Sequence, residues 1–201
     1  MFVRRAENQQ HADREGSRRR LPPRRAPPGR EPSGASLSRV TTAEDVADEA
    51  VSLLHESFQY YLAIVQRLDG DGYLRVVAGA GPPAEEVGDF LAQEQPVEVG
   101  VNGRVARSGR PTMVNDTRLD SDYLARNPRT DPGSELSLPI LVAGSIWGVM
   151  NLEQEERGAF AEEDLLLAHV VAGQVGATIH RCRLVSDSRE PSSPPSASSP
   201  T

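Results

Sequence analysis

SELSLPILVAGSIWGVMNLEQEERGAFAEEDLLLAHVVAGQVGATIHRCRL, residues 134–184, is the stretch whose reading decides the fold. Leu136, Leu138 and Ile140 alternate with Glu135, Ser137 and Pro139, the period of two of a half-buried strand. Ala143-Gly144-Ser145 makes a tight turn, and Ile146, Val149, Met150 and Leu152 carry the return strand. Glu162, Glu163 and Asp164 then open a long amphipathic helix, their charges suited to the positive end of its dipole.

Upstream, Thr41-Thr42-Ala43-Glu44 has the spacing of a capping box, and Val46, Ala47, Ala50, Val51, Leu53, Leu54 and Phe58 follow at helical intervals. Tyr60–Leu68 and Tyr73–Ala78 read as strands joined by the hairpin turn Asp69-Gly70-Asp71-Gly72. Pro82-Pro83 ends that unit. A short helix is expected over Ala84–Ala92, a strand over Val97–Val99, a helix from Gly100 to Ser108 and a strand at Thr112–Asn115. Residues 116–133 form a polar connection with one helical turn expected at Tyr123–Arg126. Hairpins force antiparallel pairing. The order therefore predicts an α+β domain: a single twisted antiparallel sheet of about six strands with helices on its faces.

With GVNGRVARSGRPTMVND at 100–116, the hairpin-helix pattern of 134–184 resembles the closing half of a GAF domain, and the resemblance extends over 39–185. It implies a GAF/PAS-like fold and a sensory, small-molecule-binding module of bacterial signalling proteins, carrying no enzyme activity. The matching features are glycine placement and apolar rhythm, which specify fold well and ligand poorly.

Charge divides the chain. Residues 1–39 carry ten Arg and four acids, whereas 40–185 carry eleven Arg and twenty-three acids, within a total net charge of −7. A body this acidic is a poor grip for phosphate backbones, so nucleic acid is an unpromising partner. All 22 basic residues are Arg, which reads as coding bias. Residues 1–38 are Arg/Pro-rich and 186–201 Ser/Pro-rich; both are expected to be disordered, the first as a leader and the second as a tail. No apolar run reaches the ~20 residues of a membrane span, and the N-terminus lacks a signal-peptide core. The expectation is a soluble, cytoplasmic protein. The chain ends about 17 residues after Leu184, which leaves no output domain, so the module is expected to act alone and report in trans.

Cys182 is the single cysteine, excluding an internal disulfide and a cysteine metal cluster, and a small buried hydrophobe is its simplest role. GAF-like free methionine sulfoxide reductases work through cysteines in the mid-domain helix and loop; this chain has Asn102 there and no cysteine between 100 and 135. Asn supplies no thiolate, so that activity is not expected. The resemblance does place Glu135 where such enzymes hold a substrate amine, with Asn151 and Glu153 where they carry aspartates. Against this stands the plain reading of Glu135 as a solvent-facing strand residue. The cyclic-nucleotide-binding GAF signature Asn-Lys-Phe-Asp-Glu cannot occur whole without Lys, and a phytochrome-type chromophore needs a pocket cysteine. His169 and His180 lie eleven residues apart, about 16 Å along a helix, too far to share an ion. No cofactor and no metal are predicted.

The eighteen residues of 116–133 exceed an ordinary connection and suit a binding lid. The candidate ligand-binding set is Asn102 and Arg104 at the helix start; Asp116, Tyr123, Arg126 and Arg129 in the segment; and Glu135, Ser137 and Glu153 on the strands. In the last helix Leu165, Ala168, Ala172, Val175, Ile179 and Cys182 recur at alternating intervals of three and four, a coiled-coil seam. Gly173 and Gly176 beside it permit close approach. Since GAF domains pair through their first and last helices, these residues are expected to form a homodimer interface, with a signalling kinase or regulator as a further partner; the other reading packs the stripe on its own sheet, and Leu166, Leu167, Val170 and Val171 widen the apolar face enough for both. The alternatives are a ligand-free dimerisation or docking module, and an enzyme using Glu135 and Glu153 as acid and base.

Overall fold

The hairpin at 134–154 is built as its alternation predicts. In the computed structural model, which describes residues 42–86, 90–125 and 131–188, β5 (Ser134–Val142) pairs with β6 (Ser145–Gln154) from Ser134 opposite Gln154 to Val142 opposite Ser145. Ala143 and Gly144 both take positive φ, 51° and 81°, as a two-residue hairpin turn requires. A second hairpin joins β1 (Leu62–Leu68) to β2 (Tyr73–Ala80). β3 (Glu94–Pro96) and β4 (Thr112–Val114) are short edge strands. The order across the single antiparallel sheet is β3-β2-β1-β6-β5-β4.

Four helices accompany it: α1 (Ala43–Phe58), α2 (Pro82–Glu86), α3 (Gly100–Ser108) and α4 (Glu162–Asp187). Several local expectations shift. The α1 capping box uses Thr42 and Asp45, each side chain accepting from the other's backbone N–H at 3.0 Å; Glu44 instead pairs with Arg67 at 3.0 Å. Pro82 and Pro83 begin α2 rather than end the preceding unit, since proline fits a first helical turn. Of the helix expected over 84–92, residues 87–89 lie outside the described residues and Phe90–Ala92 forms a 3₁₀ turn. The strand expected at Val97–Val99 lies earlier, because the register sets Pro96 opposite Tyr73. The helical turn within 116–133 falls at Thr117–Leu119, where the Asp116 carboxylate accepts from the Arg118 N–H at 3.2 Å. Helix α4 continues to Asp187, past the expected boundary at 185. The leader 1–38 and residues 189–201 lie outside the described residues. Among the described residues no helix is long and apolar enough to cross a membrane.

A strand presents alternate residues to opposite faces, and both faces of this sheet are covered. Helices α1 and α4 take one. Val51 and Leu54 of α1 meet Leu136, Leu138, Ile140, Met150 and Leu152 there. The α4 residues in this core are Ala168, Ala172, Val175 and Ile179, with Leu165 and Cys182 partly buried against it. Four of the six expected seam residues, Ala168, Ala172, Val175 and Ile179, are thus turned into the chain's own core, and Leu165 and Cys182 flank it. Gly176 serves the same contact, since a Cβ there would collide with the Leu141 carbonyl oxygen. The exposed apolar residues of α4 are different ones, Leu166, Val170, Leu184 and Val185. At the start of α4, the rings of Phe58, Tyr60 and Phe160 stack in succession. Asp164 accepts from the Tyr60 hydroxyl at 3.0 Å and from the Ala161 N–H at 2.8 Å.

The second face carries α2, the 3₁₀ turn, α3 and the 116–133 segment. Its apolar packing is split in two. Leu62, Ile64, Val76 and Phe90 make one cluster, and Leu74, Val105, Ala106 and Val149 the other.

Candidate functional site

A cavity of about 110 Å³ opens on this second face. Cross-strand register builds its floor: Leu62, Glu153 and Glu135 form one row over β1, β6 and β5, and Ile64, Asn151 and Ser137 form the next. Residues of one row share a face, so the polar side chains of β5 and β6 converge beside the apolar ones of β1.

Glu135 and Ser137 are 3% and 0% exposed, which overturns the half-buried, solvent-facing reading of this strand. The buried polar groups form one hydrogen-bonded network, in which Asn151 Oδ1 has no partner among the described residues. Ser137 Oγ lies 2.7 Å from Asn102 Oδ1 and 3.1 Å from Glu135 Oε1. Asn151 Nδ2 donates to Glu135 Oε1 at 2.5 Å and to Asn102 Oδ1 at 2.9 Å. Asn102 in turn donates to Gln66 Oε1 at 2.8 Å. Burial pushes the Glu135 carboxyl up to about 7, against the opposing pull of the Ser137 and Asn151 hydrogen bonds.

The roof comes from the long segment. Tyr123, Leu124, Asp131 and Pro132 line the cavity from above. Burial raises the Tyr123 phenol well above its usual range, with Glu153 and Asp131 adding to the effect; its hydroxyl lies 3.2 Å from Asp131. Leu124 rests on the first residue of α3, Gly100, whose φ is +78° and whose missing Cβ would crowd Leu124 Cδ1 at 2.9 Å. Glycine suits that backbone angle, and the contact with Leu124 is one its flexible side chain could relieve.

Two fastenings hold the segment. At its neck, the Thr117 N–H donates to Gly133 O at 3.1 Å and Thr117 Oγ1 to Pro132 O at 2.6 Å, so the chain departs and returns at one point. Further out, the Arg104 guanidinium on α3 grips Asp120 and Asp122, each at 2.8 Å. That pairing holds the Asp120 carboxyl below its ordinary range. Asn102 and Arg104 thus place floor and fastening two residues apart on one helix.

Of the candidate ligand-binding residues, Asn102, Tyr123, Glu135 and Glu153 line the cavity. Ser137 sits in the network beneath it. Arg104 does not reach the cavity and serves the segment instead. Asp116 belongs to the neck, where Arg118 at 2.9 Å and Arg157 at 3.5 Å hold its carboxyl down to about 2. Arg126 and Arg129 lie outside the described residues. The candidate set omitted Gln66, Asn151, Ile64 and Phe90. Gln66 had a partial signal, as the first polar residue after the apolar run LAIV in LAIVQRL, next to Arg67. Among the described residues, the cavity is lined by three carboxylates and by no arginine, histidine or cysteine.

Comparison with known proteins agrees with this architecture. Residues 36–180 match the family model of the GAF domain. No curated protein matches the chain. Among solved structures, the GAF domain of a phosphoenolpyruvate-protein phosphotransferase from Coxiella burnetii is 22% identical, covering 76% of this chain and 91% of its own, with a TM-score of 0.65. A free methionine-R-sulfoxide reductase from Neisseria meningitidis, in complex with its substrate, is 20% identical over 75% of this chain and 86% of its own, with a TM-score of 0.65. Residues 122 to 287 of a methyl-accepting chemotaxis protein are 19% identical over 75% and 96% respectively, again with a TM-score of 0.65. At these identities the likeness is one of fold, and it spans signalling proteins and an enzyme alike.

Proposed function

The chain belongs to the GAF domain family, and from that premise we propose that it is a non-catalytic sensor that binds a small molecule between its sheet and the 116–133 segment. The observation that carries this reading is the cavity itself, a polar network on its floor and Phe90, Ile64 and Val76 at its side. Its volume of about 110 Å³ lies below the roughly 300–1,000 Å³ of drug-sized pockets, so its ligand is a small metabolite and not a nucleotide. A binding role is favoured over catalysis because Cys182, the one thiol, packs with the core on the opposite face of the sheet.

The ligand orders the segment over itself, and the change passes through β5 and β6 to α4, which lies directly behind them. Leu166, Val170, Leu184 and Val185 on the outer face of α4 then present the altered helix to a second copy or to a signalling partner in the same compartment, the cytoplasm. The coupling is the ligand's differential affinity for the fastened and released segment.

Native mass spectrometry of the full chain, purified without denaturant, tests this reading. A non-covalent adduct that disappears on denaturation is the expected result, on a species of twice the 21.8 kDa monomer mass. Bare protein that gains no mass from any metabolite extract would end the sensor reading. Arg104 provides a second test. Arg104→Ala should speed proteolytic cutting within 116–133 roughly fivefold, the equivalent of about 1 kcal/mol for a partly exposed ion-pair cluster. Unchanged cutting would show that Arg104 does not fasten the segment.

A further inference from the structure

Beside the cavity, the second face carries an aromatic patch ringed by acids. Tyr61 leads into β1 and, with Ala84 of α2, packs half-buried against the apolar cluster of Leu62, Ile64, Val76 and Phe90. Leu91, next to Phe90 in the 3₁₀ turn, is 61% exposed. Burial raises the Tyr61 phenol above its ordinary range, and Glu155, Glu86 and Glu153 add to the effect, so all three carboxylates lie within electrostatic reach of one ring. Glu85, Glu86, Glu155 and Glu156 are exposed, and none of them pairs with a described arginine. The arginines that form ion pairs, Arg67, Arg75, Arg104, Arg118 and Arg157, find Glu44, Glu94 and aspartates elsewhere. Among the described residues, the patch is thus apolar at its centre, acidic around it, and without a cation.

The sequence of the same chain contains the complement. Residues 18–30 hold Arg18, Arg19, Arg20, Arg24, Arg25 and Arg30 and no acid, arranged about the apolar Leu21-Pro22-Pro23. Proline-rich segments fit aromatic grooves because their extended backbone has little freedom left to lose. Flanking arginines then meet carboxylates as charge-assisted pairs. Reach is sufficient. The sixteen residues between Arg25 and Thr42 span up to about 55 Å. Helix α1, which runs from Thr42 toward the Tyr61 end of the sheet, has 16 residues and a length of about 24 Å. Tethering makes the encounter intramolecular, at an effective concentration on the order of millimolar, so individually weak contacts suffice.

We propose that residues 18–30 dock on the Tyr61 patch of their own chain, Leu21-Pro22-Pro23 against the ring and the arginines on Glu85, Glu86 and Glu155. Phe90 belongs both to the apolar base of the patch and to the cavity wall, and Pro83 of α2 lines the cavity beside it. The docked segment therefore covers the α2 side of the cavity, and a ligand entering there must displace it. Docking itself does not depend on the sensor reading.

The chain has no lysine, so Arg20→Lys in the full chain introduces a single side-chain amine at a chosen position. Zero-length carbodiimide coupling joins that amine only to a carboxylate it touches. The expected product has the mass of one chain and carries its link on Glu85, Glu86 or Glu155. Its yield should fall about fivefold between about 20 mM and about 500 mM salt, because exposed pairs are screened. Trypsin gives a second readout that needs no new amine: Glu86→Gln/Glu155→Gln should speed cutting after Arg20 and Arg25 about fivefold at low salt. Links scattered over the acids of α1 and α4, a product of two chains, or cutting unchanged in the Gln variant would each overturn the proposal.

Discussion

Gly176→Ala is expected to destabilise the protein by about 2 kcal/mol or more, whereas Gly173→Ala, one turn earlier on the same helix, should stabilise it by about 0.5–1 kcal/mol. Alanine is the better helix former at both sites, by up to about 1 kcal/mol. At Gly173 nothing lies within 4 Å of an added Cβ, so that gain stands alone. At Gly176 the Cβ meets the Leu141 carbonyl oxygen, a backbone atom of β5 that cannot rotate aside. Overpacking of this kind costs about 1–3 kcal/mol and sometimes more, and the helix must lift from the sheet to relieve it. The clash therefore outweighs the propensity. Urea denaturation midpoints of both variants decide the matter. A tolerated Gly176→Ala would mean that α4 sits further from β5 than described, and a destabilising Gly173→Ala would place a partner against its open side.

The second large effect concerns pH. Ligand-free protein should lose stability as pH rises from about 4.5 to 7, and Glu135→Gln should abolish that loss. Glu135 titrates near 4.5 in the unfolded chain and near 7 in the folded one. Between those values the folded state keeps a proton that the unfolded chain has released, so raising the pH draws the equilibrium toward unfolding. Below pH 4.5 the contribution is fully present, and above pH 7 it is gone. The gap corresponds to about 3 kcal/mol. At pH 8 the Gln variant should thus exceed the wild type by about 2–3 kcal/mol, and at pH 4.5 the two should be nearly equal. A difference of the same size at both pH values would show that the carboxylate is not desolvated as its burial indicates. The prediction is unusual in sign, since most carboxylates lose stabilising power as they gain protons.

Much of the fold was legible because it depends on local chemistry. Ala143-Gly144 and Asp69–Gly72 mark their turns, and the period of two in β5 separates Leu136, Leu138 and Ile140 from Glu135 and Ser137. Period alone does not say what covers each face. Glu135 and Ser137 looked half-buried because their cover is polar: α3 begins with Gly100 and Asn102, and the roof carries Asp131 and Tyr123. The α4 stripe is a related case. Intervals of three and four identify a face of a helix without naming its partner, and here the partner is the helix's own sheet. Arg104 and Asp116 were read as ligand-binding residues, but neither lines the cavity and their charges pair within the segment. Which arginine finds which aspartate depends on how the chain folds back at Thr117 and Gly133, and no spacing in the sequence encodes that.

The sheet order has a kinetic meaning. Its two hairpins, β1–β2 and β5–β6, form from neighbouring sequence, but the seam between them joins residues 62–67 to residues 148–153. Closing a loop of that length carries a large entropic cost, and distant pairings slow folding. The cavity straddles this seam, with Ile64 and Gln66 on one bank and Asn151 and Glu153 on the other. It comes into existence only when this long-range pairing is made. A molecule that fills it therefore recognises only the finished protein, and by bridging the seam it slows unfolding and lengthens the native state's lifetime.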